Sequence, residues 1–209
     1  MPTKKPKVRG RVTRERILIE GARAFTRRGY HGTTLDEIAR RLGVTKPALY
    51  YYVRTKEALA YECHRISLDI GMEGIRQALA RSASPDEQLR IALMHYLAGM
   101  TDQLRGTVVL LEEGTLSPRH RRDIIKRRDR YEGKLRQIIE AGIASGTFVP
   151  CDPKLAGFAI LGAMNWVPKW YNPSGPRSGK EIAEALSIYL VRGLQTRPAD
   201  STIPPVPDV

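Results

Sequence analysis

Apolar residues recur three and four positions apart along most of the chain, the spacing of one helix face. The clearest stretch covers residues 32–56. Its first short helix has an apolar face formed by Leu35, Ile38, Ala39 and Leu42. Gly43 then ends that helix, because glycine tolerates a positive φ. In the next helix Leu49 and Val53 face back onto the first, so the pattern predicts a helix-turn-helix.

Capping residues indicate where these helices begin. Thr34 stands three residues before Glu37, which predicts a capping box. Thr45 is expected to cap the second helix, with Pro47 in its first turn, where a missing amide hydrogen does no harm. Thr55 is the expected cap of a third helix.

Lys56 follows that cap and lies at the positive end of the third helix. A cation is locally unfavourable at a helix N-terminus unless an anion is close. The position therefore indicates a contact with a phosphate group.

Caps, prolines and glycines bound further helices along the chain. These helices are expected at residues 13–28, 55–81, 84–105, 108–113, 117–145, 153–171 and 178–195. Gly71 and Gly74 lie inside the 55–81 helix and predict a bend there. Ser178 and Glu181 predict a second capping box. The fold class is therefore all-α with about nine helices.

Basic charge is concentrated at the N-terminal end. Residues 1–56 carry 15 Lys or Arg and 4 acidic residues, whereas the remaining 153 residues carry 20 and 18. This asymmetry is typical of a protein that binds a polyanion at one end. Residues 1–12 are expected to form either a disordered arm that lies along the DNA backbone or in a minor groove, or a solvated tail.

The chain divides into four expected regions. A basic arm covers residues 1–12, a helix-turn-helix DNA-binding domain 13–56, a further helical domain 57–195 that is larger than a DNA reader needs, and a Pro-rich disordered tail 196–209.

Other classes of protein find little support in the sequence. Cys63 and Cys151 lack metal-ligand spacing and fit a reducing cytoplasm. The four histidines have neither metal-ligand spacing nor a nucleophile nearby, and the sequence contains no phosphate-loop or serine-elbow pattern. The basic N-terminus lacks a following apolar stretch, and the longest apolar run, 155–167, is too short for a bilayer. We therefore expect a cytoplasmic protein that is not an enzyme and has no cofactor.

The first helix followed by RRGYHGTTLDEIARRLGVTKPALYYYVRTKEAL resembles the N-terminal domain of TetR-family transcriptional regulators. The resemblance covers about 50 continuous residues, with Val53 where the family usually has an aromatic residue. It implies that the protein binds double-stranded operator DNA as a homodimer.

The resemblance also implies roles for individual residues. Those facing phosphates or bases would be Thr33, Thr34, Thr45, Lys46, Pro47, Ala48, Tyr50, Tyr52 and Lys56. Lys46 is the strongest candidate for a hydrogen bond to guanine, and Ala48 and Tyr50 suit thymine methyl groups. Of the three successive tyrosines, Tyr51 is expected to turn inward.

In a TetR-like arrangement residues 57–195 form the ligand-binding and dimerisation domain, and its last two helices form the dimer interface. The run from Leu155 to Ala163, with Leu186, Tyr189 and Leu190, suits close helix packing. These helices alternatively close the core of the monomer.

The segment NWVPKWYNP (165–173), with RDRYEGKLRQIIEAGIASGTF (128–148), is similar to a TetR branch that senses acyl-CoA thioesters in fatty-acid and steroid catabolism. Residues expected to bind such a ligand are Met94, Leu97, Met100, Arg127, Tyr131, Phe158, Leu161, Trp166, Lys169 and Trp170. Apolar members would line a tunnel, and cations would bind the coenzyme A phosphates. Alternatives are core or dimer packing for the tryptophans, a solvated face for the Arg-rich helix, a sensor of other small hydrophobes, and a ligand-independent architectural DNA binder.

Overall fold

The computed structural model describes residues 13–81, 84–101 and 114–196, and in these ranges it contains eight α-helices. They are α1 Arg14–Arg28, α2 Leu35–Leu42, α3 Lys46–Tyr52, α4 Lys56–Ala80, α5 Pro85–Thr101, α6 Pro118–Ala144, α7 Pro153–Trp170 and α8 Gly179–Arg192. The all-helical prediction is confirmed. The ninth expected helix, the N-terminal arm and nearly all of the C-terminal tail lie outside the described residues.

Helices α1 to α3 form a small head on the first turns of α4. Its core contains Ile17, Ala24, Ile38, Leu49 and Leu59, each fully buried. The hydroxyls of Thr34 and Thr55 cap α2 and α4 as predicted, and Thr13 caps α1, because each accepts a hydrogen bond from a first-turn amide. Only this half of the predicted Thr34–Glu37 capping box is present, since the Glu37 carboxylate accepts from Arg28 and Arg41 instead. Gly43 has φ +69°, which confirms the glycine-dependent turn between α2 and α3.

Helices α4 to α8 form the C-terminal bundle around a second core. Helix α5 lies at its centre and packs against α4, α6 and α8. The fully buried side chains include Leu89, Leu93, Leu97, Met100, Leu135, Ile139 and Phe148. The Ser178–Glu181 capping box at the start of α8 is present as predicted. No helix in the described parts of the chain is both long and apolar enough to cross a membrane.

The two glycines of α4 have a packing role that the sequence did not reveal. Helix α4 runs unbroken through both. A Cβ at residue 71 would lie 2.8 Å from Cε2 of Tyr131, and one at residue 74 would lie 3.0 Å from the carbonyl oxygen of Ala92. Glycine therefore lets α5 and α6 approach α4 closely.

A Gly74→Ala substitution is expected to lower the free energy of unfolding by about 1–3 kcal/mol, because the added methyl group overpacks against the α5 backbone. The loss occurs although alanine is the better helix former by about 1 kcal/mol. Gly133→Ala on α6 is the matched control, since its Cβ meets only the end of Arg136 at 4.0 Å. Urea unfolding should show stabilisation by about 0.4–1 kcal/mol in the control. Equal effects at both sites would contradict the packing role.

Candidate nucleic-acid interface and ligand cavity

Helix α3 presents a mixed polar and aromatic face to solvent. Leu49 and Val53 are buried, as predicted, against the rest of the head. Lys46, Pro47 and Ala48 are exposed, and Tyr50 and Tyr52 are more than a third exposed. Thr45 stands at the N-cap but makes no side-chain capping hydrogen bond. Its hydroxyl is therefore not occupied by the helix end.

Lys46 has an acidic neighbour on this surface. Its Nζ donates a hydrogen bond of 3.0 Å to Asp36 of α2 and lies 5.7 Å from the centre of the Tyr50 ring. This hydrogen bond and the nearby charge raise the pKa of Lys46. Both side chains are more than half exposed, and such surface pairs contribute little stability. Asp36 thus holds Lys46 at the exposed face of α3. The pairing is weak enough for the Lys46 amine to exchange it for another acceptor.

The inward orientation predicted for Tyr51 is wrong. Its side chain is 85% exposed, and its ring meets that of Tyr52 edge-on at 5.2 Å. The reason is geometric: successive residues turn by about 100°, so Tyr51 points away from the face shared by Leu49 and Val53. All three tyrosines therefore belong to the outer surface.

The two threonines before α2 differ in exposure and in the hydrogen bonds of their hydroxyl groups. Thr33 is fully buried, and its hydroxyl donates a hydrogen bond of 2.9 Å to the carbonyl oxygen of Gly29. Thr34 is exposed and caps α2. The side chain of Thr33 thus joins α1 to α2, contrary to the expected phosphate-facing role.

Lys56 already has partners within the chain. Its Nζ donates to the carbonyl oxygen of Tyr30 at 2.9 Å and lies 4.3 Å from the centre of that ring. The oxygen and the ring face supply the negative potential that we expected from a phosphate. A phosphate contact by Lys56 stays a prediction.

A basic groove lies beside Thr34. The sequence revealed the basic charge of this end of the chain but did not single out the residues of the groove. The groove has a volume of about 460 Å³ and is lined by Arg28, Thr34, Glu37, Arg40 and Arg41. Glu37 accepts hydrogen bonds from Arg28 and Arg41 at 2.9 and 3.3 Å. The pairs of arginines at the ends of α1 and α2 are the sequence signal for this groove.

A larger cavity of about 690 Å³ lies between α4, α5, α6 and α7. Of the residues predicted to bind ligand, Tyr131, Phe158 and Leu161 line it. Sequence reasoning missed other lining residues, among them Tyr96, Arg128, Arg136, Lys154 and Asn165. The volume falls in the range typical of small-molecule sites.

The cavity combines aromatic rings, cations and a buried hydroxyl group that is not hydrogen-bonded. The Tyr96 hydroxyl donates to Oδ1 of Asn165 at 3.0 Å. The Tyr131 ring stacks on Tyr96 with centres 5.8 Å apart, and its buried hydroxyl has no hydrogen-bond partner among the described residues. Burial raises the pKa of both phenols, so both remain protonated donors.

Four other predicted ligand residues do not line this cavity. Leu97 and Met100 are fully buried in the core of the bundle, and Met94 is partly buried against that core. Arg127 is engaged elsewhere, because it donates to Asp123 at 2.7 Å and to Asp69 of α4 at 3.1 Å. Its guanidinium thus ties α6 to α4.

The tryptophans also lie away from the cavity. Trp166 is 60% exposed and Trp170 is 50% exposed, and Lys169 beside them is exposed too. They point outward because the opposite face of α7, including Ile160 and Met164, is the one buried in the bundle. Their exposure favours the alternative role, packing in a dimer, over the predicted role of lining a ligand tunnel.

The outer faces of α7 and α8 carry large apolar side chains. At least half exposed are Leu155, Phe158, Trp166, Trp170 and Tyr189. Between them α7 exposes small residues, Ala159 and Ala163. Large apolar side chains exposed in this number on two helices are typical of an interaction site.

The head meets the C-terminal bundle at a compact junction of Glu57, Ser117 and His120. Oε1 of Glu57 accepts a hydrogen bond from the Ser117 amide at 3.0 Å and lies 2.6 Å from Nδ1 of His120. The His120 ring stacks on Tyr61 with centres 3.9 Å apart. The first turn of α4 is therefore tied to the start of α6.

Two family models match the chain. Residues 17–63 match the bacterial regulatory proteins of the tetR family, and residues 82–194 match the tetracyclin repressor-like C-terminal domain. Together they cover the head and the bundle.

Individual proteins agree with these models. The transcriptional repressor KstR2 of Mycolicibacterium smegmatis is 27% identical over 191 residues, covering 90% of this chain and 93% of its own. The crystal structure of the TetR-family regulator PfmR from Thermus thermophilus has a TM-score of 0.72 at 34% identity and covers 87% of this chain and 100% of its own. AibR in complex with isovaleryl coenzyme A and operator DNA has a TM-score of 0.69 at 30% identity, covering 86% and 98%.

Proposed function

Because the chain belongs to the TetR family of transcriptional regulators, we propose that it is a homodimeric repressor whose operator binding is relieved by an acyl-CoA thioester. The DNA-binding regulator is the established part of this statement. The homodimer, the effector class and the sign of the response are the proposal. The observation that carries it is the pairing of an exposed recognition helix with a cavity that contains both rings and cations.

The DNA-reading part rests on the exposed face of α3. Two copies of this helix, about 34–36 Å apart, would enter successive major grooves of a palindromic operator. Lys46 is placed to donate to guanine, and exchanging its exposed Asp36 partner for a base costs little. Arg28 and Arg40, on either side of Thr34, would bind flanking phosphates.

The homodimer rests on the apolar face of α7 and α8. Trp166, Trp170 and Tyr189 would be buried against the same residues of a second copy, which forms a four-helix interface. The small residues between them on α7 would permit close approach of the two copies of the helix.

The effector class rests on the cavity. Aromatic rings of Tyr96, Tyr131 and Phe158 suit an acyl group, and cations at the same cavity suit phosphates. These cations are Arg128, Arg136 and Lys154. The AibR complex holds isovaleryl coenzyme A, which supports a thioester of this size. The cations and buried polar groups favour this class over the alternative of a purely apolar small molecule.

Substituting Lys46 and Lys56 separately tests the DNA-reading assignment. Lys46→Ala is expected to lose about 1–3 kcal/mol of discrimination at one base pair, because it removes a contact with a base edge. Lys56→Ala is expected to weaken binding to every sequence and to reduce the salt dependence. The measurement is fluorescence anisotropy on the operator and on single-base variants at several salt concentrations. Equal effects of both substitutions on all sequences would contradict the assignment.

A further inference from the structure

Tyr131 lines the cavity and is buried with an unsatisfied hydroxyl group. The residue is 4% exposed, and its hydroxyl has no hydrogen-bond partner within the described ranges of the chain. Burying a hydroxyl group without a partner costs about 1–3 kcal/mol, and a ligand that accepts a hydrogen bond from it would remove this cost.

The ring of Tyr131 is held in place from two sides. Gly71 of α4 leaves just enough room for it, since a Cβ there would lie 2.8 Å from Cε2 and 2.9 Å from Cζ. Tyr96 of α5 stacks on the ring at a centre distance of 5.8 Å. The hydroxyl oxygen therefore has a defined position before any ligand arrives, and its hydrogen can rotate to meet an acceptor.

The hydroxyl of the neighbouring Tyr96 differs from that of Tyr131 in having a hydrogen-bond acceptor. Tyr96 donates to Asn165 of α7 at 3.0 Å, so its hydrogen bond is made within the protein. Tyr131 lies beside it on α6 without an equivalent acceptor in the part of the chain that the structure describes. Of the two stacked phenols, Tyr131 is the cavity-lining one whose hydroxyl does not already make a hydrogen bond within the described residues.

We propose that the Tyr131 hydroxyl donates a hydrogen bond to the thioester carbonyl oxygen of the effector, so that the protein distinguishes acyl-CoA thioesters from molecules that lack this acceptor. This inference rests on the proposed effector class and assigns the group that recognises it. A carbonyl oxygen fits because it accepts hydrogen bonds without needing to donate one. The rings of Tyr96 and Phe158 then contact the hydrocarbon part, and the cations hold the phosphates.

The test compares isovaleryl coenzyme A with S-(3-methylbutyl) coenzyme A, which has the same carbon skeleton and lacks the carbonyl oxygen. Isothermal titration calorimetry of the full chain should show about tenfold tighter binding of the thioester, the effect of one hydrogen bond. In Tyr131→Phe this preference should disappear because the thioester binds about tenfold more weakly, while affinity for the thioether is unchanged. Free isovalerate should bind far more weakly than either coenzyme A compound.

Tyr61→Phe is the matched control, because Tyr61 on α4 is outside the lining of the cavity and its hydroxyl donates to Oδ2 of Asp123 at 2.8 Å. Loss of this hydrogen bond should lower the melting temperature by about 2–4 °C and leave the preference for the thioester unchanged. Tyr96→Phe tests the neighbouring hydroxyl as the alternative donor, and the preference should survive it. Tyr131→Phe removes an unsatisfied hydroxyl, so its melting temperature should stay the same or rise.

Three outcomes would overturn the inference. If Tyr131→Phe binds the thioester as tightly as the wild-type chain, Tyr131 is not the donor, and acyl-CoA sensing itself still stands. If Tyr96→Phe and not Tyr131→Phe removes the preference, the donor is misassigned. If the wild-type chain binds neither coenzyme A compound, the proposed effector class fails and this inference fails with it.

Discussion

A Trp166→Glu variant is expected to sediment as a monomer at micromolar concentration and to lose about 10²- to 10⁴-fold in affinity for a palindromic operator, because loss of the second recognition helix removes the gain from bivalent binding. In the monomer the Trp166 side chain is 60% exposed, and it belongs to the apolar face of α7. In the proposed dimer it is buried close to its own symmetry copy, so two carboxylates would be brought together without a counter-ion.

Analytical ultracentrifugation and anisotropy measure the two effects separately. Leu79→Glu is the matched control, because Leu79 is 50% exposed on α4 and lies outside the α7 and α8 face. That control should remain a dimer with wild-type operator affinity. Both tryptophans of the chain lie on this face, so dilution of the wild-type protein should shift its fluorescence to longer wavelength as the dimer dissociates. A Trp166→Glu variant that stays dimeric would contradict the proposed interface.

The head was largely predictable because its signals are local. Thr34, Gly43 and Thr55 act through residues fewer than about six positions away, so the nearby sequence determines where these helices begin and end. Tyr51 shows the limit of that reasoning. Because three tyrosines follow one another, we expected one of them to pack inward. Leu49 and Val53, however, already form the buried face of this short helix.

The C-terminal bundle was predicted less well because its contacts are distant in sequence. Arg127 looked like a free cation, and its partner Asp69 lies 58 residues earlier in the chain. Leu97 and Trp166 both occupy apolar helix positions, yet one is fully buried and the other is on the surface. Periodicity identifies an apolar face and does not say whether a core, a cavity or a second chain covers it.

The junction of Glu57, Ser117 and His120 gives the cavity a physical route to the head. Helix α6 carries Tyr131 at the cavity and begins next to Ser117, whose amide donates to Glu57 in the first turn of α4. Lys56, one residue earlier, holds the Tyr30 carbonyl of the head. A ligand that displaces α6 would therefore act directly on the helix that positions the DNA-reading surface.

This arrangement predicts that Glu57→Gln uncouples the two domains. In the wild-type chain, saturating isovaleryl coenzyme A is expected to weaken operator binding about 5- to 150-fold. In the variant, the ligand and the operator should each bind with near wild-type affinity, and the ligand should change operator affinity by less than about threefold, since the charged hydrogen bonds of the junction are lost. Glu73→Gln is the matched control, because Glu73 lies on the same helix and pairs with Arg76 one turn away. A variant that keeps the full ligand response would exclude the junction as the route.

The pH dependence of stability checks the same carboxylate independently. Burial by itself raises the pKa of Glu57, but the hydrogen bonds from Ser117 and His120 outweigh it and hold the pKa below its ordinary value of 4.5. A group with a lowered folded-state pKa stabilises the protein above its ordinary pKa and loses that contribution as the pH falls through the folded-state value. The melting temperature of wild type should therefore exceed that of Glu57→Gln at neutral pH, and the gap should narrow only below about pH 4.5. If the difference in melting temperature instead disappears above about pH 4.5 as the pH is lowered, these hydrogen bonds do not hold the Glu57 carboxylate. The junction could not then transmit the ligand signal at neutral pH.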